Sequence, residues 1–192
     1  MTRAVYLFLI VLCPLICFGQ ENKPMYDISY FGRNLTHAGI SLGVNYRFHK
    51  TNKIDTLHLK LHSRFLSKNK FTLYYHKNNH LGLLFSSEMA YQLVFKKGIY
   101  LELVVGLGYL RTFYDTKVFE VDNKGQVKHI PLAGANYFAP NYALGFGKYY
   151  WNRKSKITSW YLNLGAYYMY PFNTKFLINP YIQSGLTLNL KR

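Results

Sequence analysis

Apolar and polar residues alternate along most of this chain. In AGISLGVNYRF, residues 38–48, Ala38, Ile40, Leu42, Val44, Tyr46 and Phe48 form one set and Gly39, Ser41, Gly43, Asn45 and Arg47 the other. Successive side chains of a strand point to opposite faces, so a period of two predicts a β-strand with one apolar face. The pattern returns over 56–65, where Leu57, Leu59, Leu61 and Phe65 oppose His58, Lys60, His62 and Arg64, and over 70–76, where Phe71, Leu73 and Tyr75 oppose Thr72, Tyr74 and His76. Segments 81–95, 99–113, 138–151, 158–172 and 176–190 repeat it, which makes eight predicted strands. No segment follows the helical spacing of 3.6, and most connections are short and polar, as antiparallel hairpins require.

The composition of the two faces decides which one meets water. The polar face carries Gly43, Gly82, Gly106, Gly108, Gly145, Gly147 and Gly165 among Asn, Ser and scattered charges. Glycine suits the crowded interior of a small barrel better than a solvated outer wall, where Lys, Glu and Thr prevail. The apolar face places aromatics near strand ends, among them Tyr46, Phe48, Tyr109, Phe113, Trp160, Tyr168, Tyr170 and Phe172, like the interfacial girdles of a transmembrane barrel. A soluble lipocalin-type barrel also alternates, but it would turn the apolar set inward. The expected fold is therefore all-β: an eight-stranded antiparallel transmembrane β-barrel, an up-and-down meander with Ile40, Leu42 and Val44 against acyl chains. A closed barrel satisfies its backbone donors and acceptors without water.

Residues 1–19 read as a secretory signal, with Arg3, the apolar run YLFLIVLCPLICF and Gly19 before Gln20. Residues 20–192 then form the outer-membrane barrel domain, and both cysteines, Cys13 and Cys17, leave with the leader. Beyond it no apolar stretch approaches the ~20 residues of a spanning helix, so any crossing must use strands. The formal charge of +16 is carried largely by lysines and arginines in connecting segments. An export signal, charges at turns and the lack of a recognisable motif exclude nucleic acid as a partner. Outer-membrane lipid and anionic lipopolysaccharide are the expected partners of these cations, with Lys148 and Arg111 placed to snorkel to headgroups.

Inward-pointing Arg47, His58, Lys60, His62, Arg64, Glu88 and Glu102 predict a lumen filled by a polar network, since ionised groups in a narrow barrel must pair. His58 and His62 stand about 13 Å apart along a strand and cannot share an ion. His76 and His80, in YYHKNNHLG, straddle a tight turn and form a possible turn site, but neither cysteine nor carboxylate completes a metal set. No metal and no cofactor is expected. His62 and Ser63 are adjacent, hence on opposite faces, and no nucleophile with a base in reach can be named, so enzymatic activity is not expected. The longest link, 114–137, contains VFEVDNKGQVKHI, in which Asp122 to Gly125 reads as a turn between two extended arms. Its Glu120, Asp122, Asn123, Lys124, Lys128 and His129 are the candidate external contact surface for a protein or small ligand. Pro180 removes a ladder donor and predicts an irregularity near the start of the last strand.

Over 25–192 this pattern resembles the small outer-membrane β-barrel proteins of Gram-negative bacteria, the OmpA-like or OmpX-like barrels. Within it YYHKNNHLGL (74–83), KKGIYLELVVGLGYLRTF (96–113) and PLAGANYFAPNYALGFG (131–147) resemble a family of exported barrel proteins that offers no catalytic residues to carry over. The resemblance implies a structural or surface-interaction role, with the lumen plugged. The alternatives are a lipid-modifying enzyme of the lipid A deacylase or acyltransferase type, for which the His-x-Ser pair is missing, and a narrow pore.

Overall fold

A strand with one apolar face and unpaired edges is stable only when both edges find partners, and here the sheet closes on itself. The computed structural model of the protein describes residues 24–34, 37–48, 52–56, 59–122, 125–150, 155–173 and 175–190; for 52–56 and 59–60 only the backbone is described. The expected leader, 1–19, lies outside the described residues. The strands are β1 (Met25–Arg33), β2 (His37–Arg47), β3 (Asn52–Thr56), β4 (Leu59–His76), β5 (His80–Val94), β6 (Ile99–Tyr114), β7 (Val118–Val121), β8 (Val127–Ile130), β9 (Asn136–Phe138), β10 (Asn141–Tyr149), β11 (Ile157–Phe172) and β12 (Lys175–Leu188).

Eight of them are staves of a barrel. β1, β2, β4, β5 and β6 pair in succession, β6 pairs with β10, β10 with β11 and β11 with β12, all antiparallel. β12 then returns to β1 in continuous register from Tyr26↔Leu188 to Arg33↔Tyr181. The expected eight-stranded antiparallel meander is the fold found. β3 folds back on the start of β4, and β7 and β8 form a separate hairpin beyond the rim.

The stave count agrees with the sequence pattern, but two staves are drawn differently. Residues 59–65 and 70–76 belong to one continuous strand, β4, because inward and outward positions keep phase through Leu66 to Asn69, while Thr56 ends β3 and 57–58 lie outside the described residues. The first stave is β1, which the alternation does not single out. Tyr26, Ile28 and Tyr30 face outward there, yet Met25 and Phe31 are buried on the other face, so both sides read as apolar. The link 114–137 is also shorter than it reads, because Asn136 to Phe138 form β9 and extend the wall beside β6. Pro180 stays in register opposite Ala166; the ladder shifts register between Ile157 and Ser159 and between Met169 and Phe172 of β11, the second opposite the first residues of β12, so the irregularity lies near the start of the last strand but not at the proline. The proline is tolerated because it lies one residue past the last β1–β12 pair: the Asn34 amide donates to its carbonyl at 2.9 Å, and the reciprocal donor is lost only where that ladder ends.

The two faces sort as expected. Ile40, Leu42, Leu103, Val105, Leu107, Leu144 and Leu164 are exposed on the outside of the wall. Inside, Ser41, Asn45, Lys68, Lys70, Glu88, Gln92, Glu102, Asn163 and Gln183 are buried. The lumen is less purely polar than alternation suggests: Phe31, Leu66, Leu84, Val104 and Leu110 are also buried there. The inward glycines have a specific use. Tyr74 faces Gly82, Tyr100 faces Gly147, Tyr161 faces Gly185 and Tyr181 faces Gly165 in ladder register; the Tyr74 ring fills the place a Cβ on Gly82 would take, and the outer ends of the other three tyrosines lie among the atoms that crowd that place at their glycines. Bare backbone on one stave thus accepts an aromatic plate from the next, which packs a narrow interior tightly.

Two substitutions probe the wall from opposite sides. Gly82→Val drives a side chain into the Tyr74 ring and is expected to cost about 1–3 kcal/mol. Val105→Arg puts a cation near the middle of the outward face of β6, at about 2–4 kcal/mol if that face meets hydrocarbon and near zero if it meets water. Urea titration of refolded protein in lipid vesicles, read by the gel shift of unheated samples, measures both.

Candidate functional site: the packed lumen and its outer mouth

Long inward side chains from opposite staves meet at the barrel axis, and two lysines of β4 organise what they meet. Lys68 forms an ion pair with Glu102 of β6, which also accepts from Gln92 and, at 3.2 Å, from Asn163. Lys70 lies 3.0 Å from Glu88 of β5 and donates to Gln183 at 2.9 Å. Glu88 further accepts from Ser86 at 2.9 Å and from Asn141 at 3.1 Å, and Gln183 donates to Ser29 at 2.8 Å. The third buried carboxylate, Asp27, accepts from the Tyr161 hydroxyl at 2.7 Å, and the ring of that tyrosine lies under both ammonium groups, 5.5 Å from Lys68 and 5.9 Å from Lys70. Carboxylates removed from water are stable only when their lone pairs are taken up in this way. A cavity of about 10 Å³ beside Phe31, Lys70, Glu88 and Gln183 is the size of a single water.

The predicted lumen residues divide around this network. Glu88 and Glu102 are its acceptors. Arg64 lies lower, its guanidinium 4.8 Å from the centre of the Tyr149 ring, and the Tyr149 hydroxyl donates to Gln92 at 2.6 Å. Arg47 and His62 continue the inward rows of β2 and β4 toward the end where β1 starts and β12 stops, away from both glutamates. His58 and the side chain of Lys60 lie outside the described residues. The two lysines that pair with the glutamates were missed, although Lys68 and Lys70 keep phase with Arg64. The run of Ser67, Lys68, Asn69 and Lys70 reads as a polar turn unless β4 is known to continue through it.

At the other end, where the turns 77–79 and the long link lie, the histidines converge. His76 and His80 form the last β4–β5 pair, with ring centres 5.4 Å apart. The ring of His37, the first residue of β2, lies tilted against that of His76 with centres 3.7 Å apart, a neighbour that sequence spacing alone does not reveal. Arg33, the last residue of β1, lies beneath them and donates to Asn179 at 3.0 Å and to the Tyr74 hydroxyl at 2.9 Å.

Outside the rim, the β7–β8 hairpin carries the predicted contact residues in register. Glu120 faces Lys128, and Phe119 faces His129 with ring centres 5.4 Å apart. Asp122 closes the turn, accepting from the Gln126 amide through its carboxylate and from the Gly125 amide through its carbonyl. Asn123 and Lys124 lie outside the described residues. Phe119, Val121 and Val127 are exposed, and no barrel strand pairs with this hairpin. Arg111 reaches back from the outward face of β6 to Asn136 at 3.0 Å and the Leu132 carbonyl at 3.2 Å, tying the returning arm to the wall.

No protein-family model matches the chain, and no curated protein matches it in sequence. Solved structures similar to it include the N-terminal β-barrel domain of Pseudomonas aeruginosa OprF, at 10% identity and a TM-score of 0.47 over 88% of this chain and 100% of that one. Neisserial surface protein A is 11% identical, with a TM-score of 0.47 over 88% of this chain and 96% of its own. The outer membrane enzyme PagL is 11% identical, with a TM-score of 0.46 over 84% and 97%.

Removing one member of a buried ion pair isolates the energetics of the network. Lys68→Met leaves Glu102 buried with amide donors alone and is expected to lower the unfolding free energy by about 3–5 kcal/mol. The double variant Lys68→Met/Glu102→Gln regains most of that loss, because no uncompensated charge remains. Urea unfolding of these two variants and of Glu102→Gln against the parent gives the coupling.

Proposed function

We propose that the chain is an outer-membrane barrel with a structural or surface-contact role: its wall anchors it in lipid, its lumen is closed to ion flow, and the external link displays the contact surface. The observation that carries this reading is the opposition of the two faces, aliphatic outside and ionic inside. Hydrocarbon is the medium in which such an outer wall costs nothing, and paired charges are what a lumen without bulk water requires. Staves of nine to eighteen residues reach or exceed the ~9–11 tilted residues needed to cross. A cleaved leader would deliver the chain to that membrane.

The two lysine-centred pairs, the inward tyrosines and a cavity beside Lys70 no larger than about one water support a plugged lumen. The contact surface is the β7–β8 hairpin, whose Phe119, Val121 and Val127 are exposed beside Glu120, Lys128 and His129. Rigid walls with protruding loops are a common arrangement for recognition. Lys77 and Lys117 at the same rim, both exposed, suit the anionic headgroups of lipopolysaccharide.

Two measurements test this. In planar bilayers the refolded protein is expected to be silent, and discrete conductance steps would favour a pore. Deleting 117–130 is expected to leave a folded, heat-modifiable barrel in the outer-membrane fraction while abolishing surface attachment of expressing cells to a protein-coated support; loss of folding, or full retention of attachment, counts against the hairpin.

A further inference from the structure

Arg33 points inward near the rim, and among the described residues no carboxylate pairs with it. Lys68 and Lys70 each pair with a glutamate, whereas every hydrogen bond of Arg33 goes to a neutral acceptor: Nε and Nη2 to Asn179 Oδ1, Nη1 to the Tyr74 hydroxyl and to His80 Nε2 at 3.1 Å, and Nη2 to the Met169 sulfur at 3.7 Å. The residue is 6% exposed, and the Tyr74 and Tyr167 rings lie 5.4 and 5.8 Å from its guanidinium carbon. Aromatic faces and dipoles hold a cation in place without neutralising it.

The groups around the guanidinium are neutral; Asp115, at the same rim, accepts instead from the outward-facing Tyr75 hydroxyl at 2.8 Å. A guanidinium only donates, so His80 Nε2 accepts and the His80 proton sits on Nδ1, which faces Asn79 Oδ1 at 3.0 Å. His37 is 6% exposed, and its Nδ1 is buried without a hydrogen-bond partner. His76 joins the two rings, and His76 and His80 are half-exposed toward the mouth. Asn179 grips one side of the guanidinium through Nε and Nη2. The opposite edge, across Nη1 and Nη2, is held in part by a thioether and by an imidazole at the rim, both weak acceptors beside an anion.

We propose that Arg33, His37, His76 and His80 form a receptor for a single phosphate-type oxyanion at the outer mouth of the lumen. The anion takes the place of His80 Nε2 and Met169 Sδ on the guanidinium edge and receives further hydrogen bonds from the imidazoles. A tetrahedral oxyanion matches donors that converge from β1, β2, β4 and β5 better than a planar carboxylate does. Free phosphate and a phosphomonoester on a lipid headgroup present the same chemistry.

The test uses the full chain refolded in dodecyl maltoside, so that it does not depend on where the barrel resides or on the plug. Histidine side-chain NMR follows His37, His76 and His80 during titration with inorganic phosphate, with short-chain phosphatidic acid, and with acetate and phosphatidylcholine as controls. Saturable shifts with either phosphate probe are expected. Selectivity between the two identifies the source, lipid or solution. Arg33→Gln is expected to weaken binding at least tenfold and His37→Ala about threefold; if Arg33→Gln does not fold, His37→Ala and His76→Gln carry the comparison. Unshifted resonances, linear drift without saturation, equal affinity in the folded variants, or a preference for acetate overturns the proposal, as does saturable zinc binding without a phosphate response.

Discussion

Closure of the sheet is the constraint from which the other features follow. The β1–β12 ladder removes the last free edge, so the backbone groups of the wall are paired within the wall and its outer face can be aliphatic. Eight staves also set the bore. It is too narrow for bulk water and too wide to be left empty, so the interior has to be built from side chains long enough to meet at the axis.

Three kinds of filling meet that requirement at different heights. Near the middle, lysine–glutamate pairs with amide and hydroxyl partners neutralise charge where water is scarce. Around them, tyrosine rings lie flat over glycines of the adjacent stave, so that a bulky plate costs no thickness at its neighbour. Aliphatic side chains such as Leu66, Leu84 and Val104 take up what remains. Ionic pairs alone would be a poor source of stability after desolvation, and here they share the interior with packing that needs no charge.

The outer end is built on another principle. Stave ends bring an arginine and three histidines together with no acid among them, while the long link leaves the rim as a hairpin with apolar residues on show. In the proposed reading recognition falls to this end, where strands stop and side chains are released from the ladder. The proposed oxyanion receptor and the hairpin surface are separate features of one rim, and each can fail without the other.

Alternation alone determined the fold class, the outward set and most inward positions, because a period of two records which face of a pleated strand each residue occupies. Glu88 and Glu102 were legible as lumen groups for that reason, and so was the Asp122–Gly125 turn. The sequence did not reveal β1, whose Met25 and Phe31 blur the contrast, or the continuity of β4 through Ser67–Lys70, where polar residues on both faces mimic a turn. Nor could it pair Lys68 with Glu102, Tyr161 with Asp27 or His37 with His76. Those partners are far apart along the chain, and only the stagger between staves brings them to one level. Local pattern specifies a face; closure of the ring specifies a neighbour.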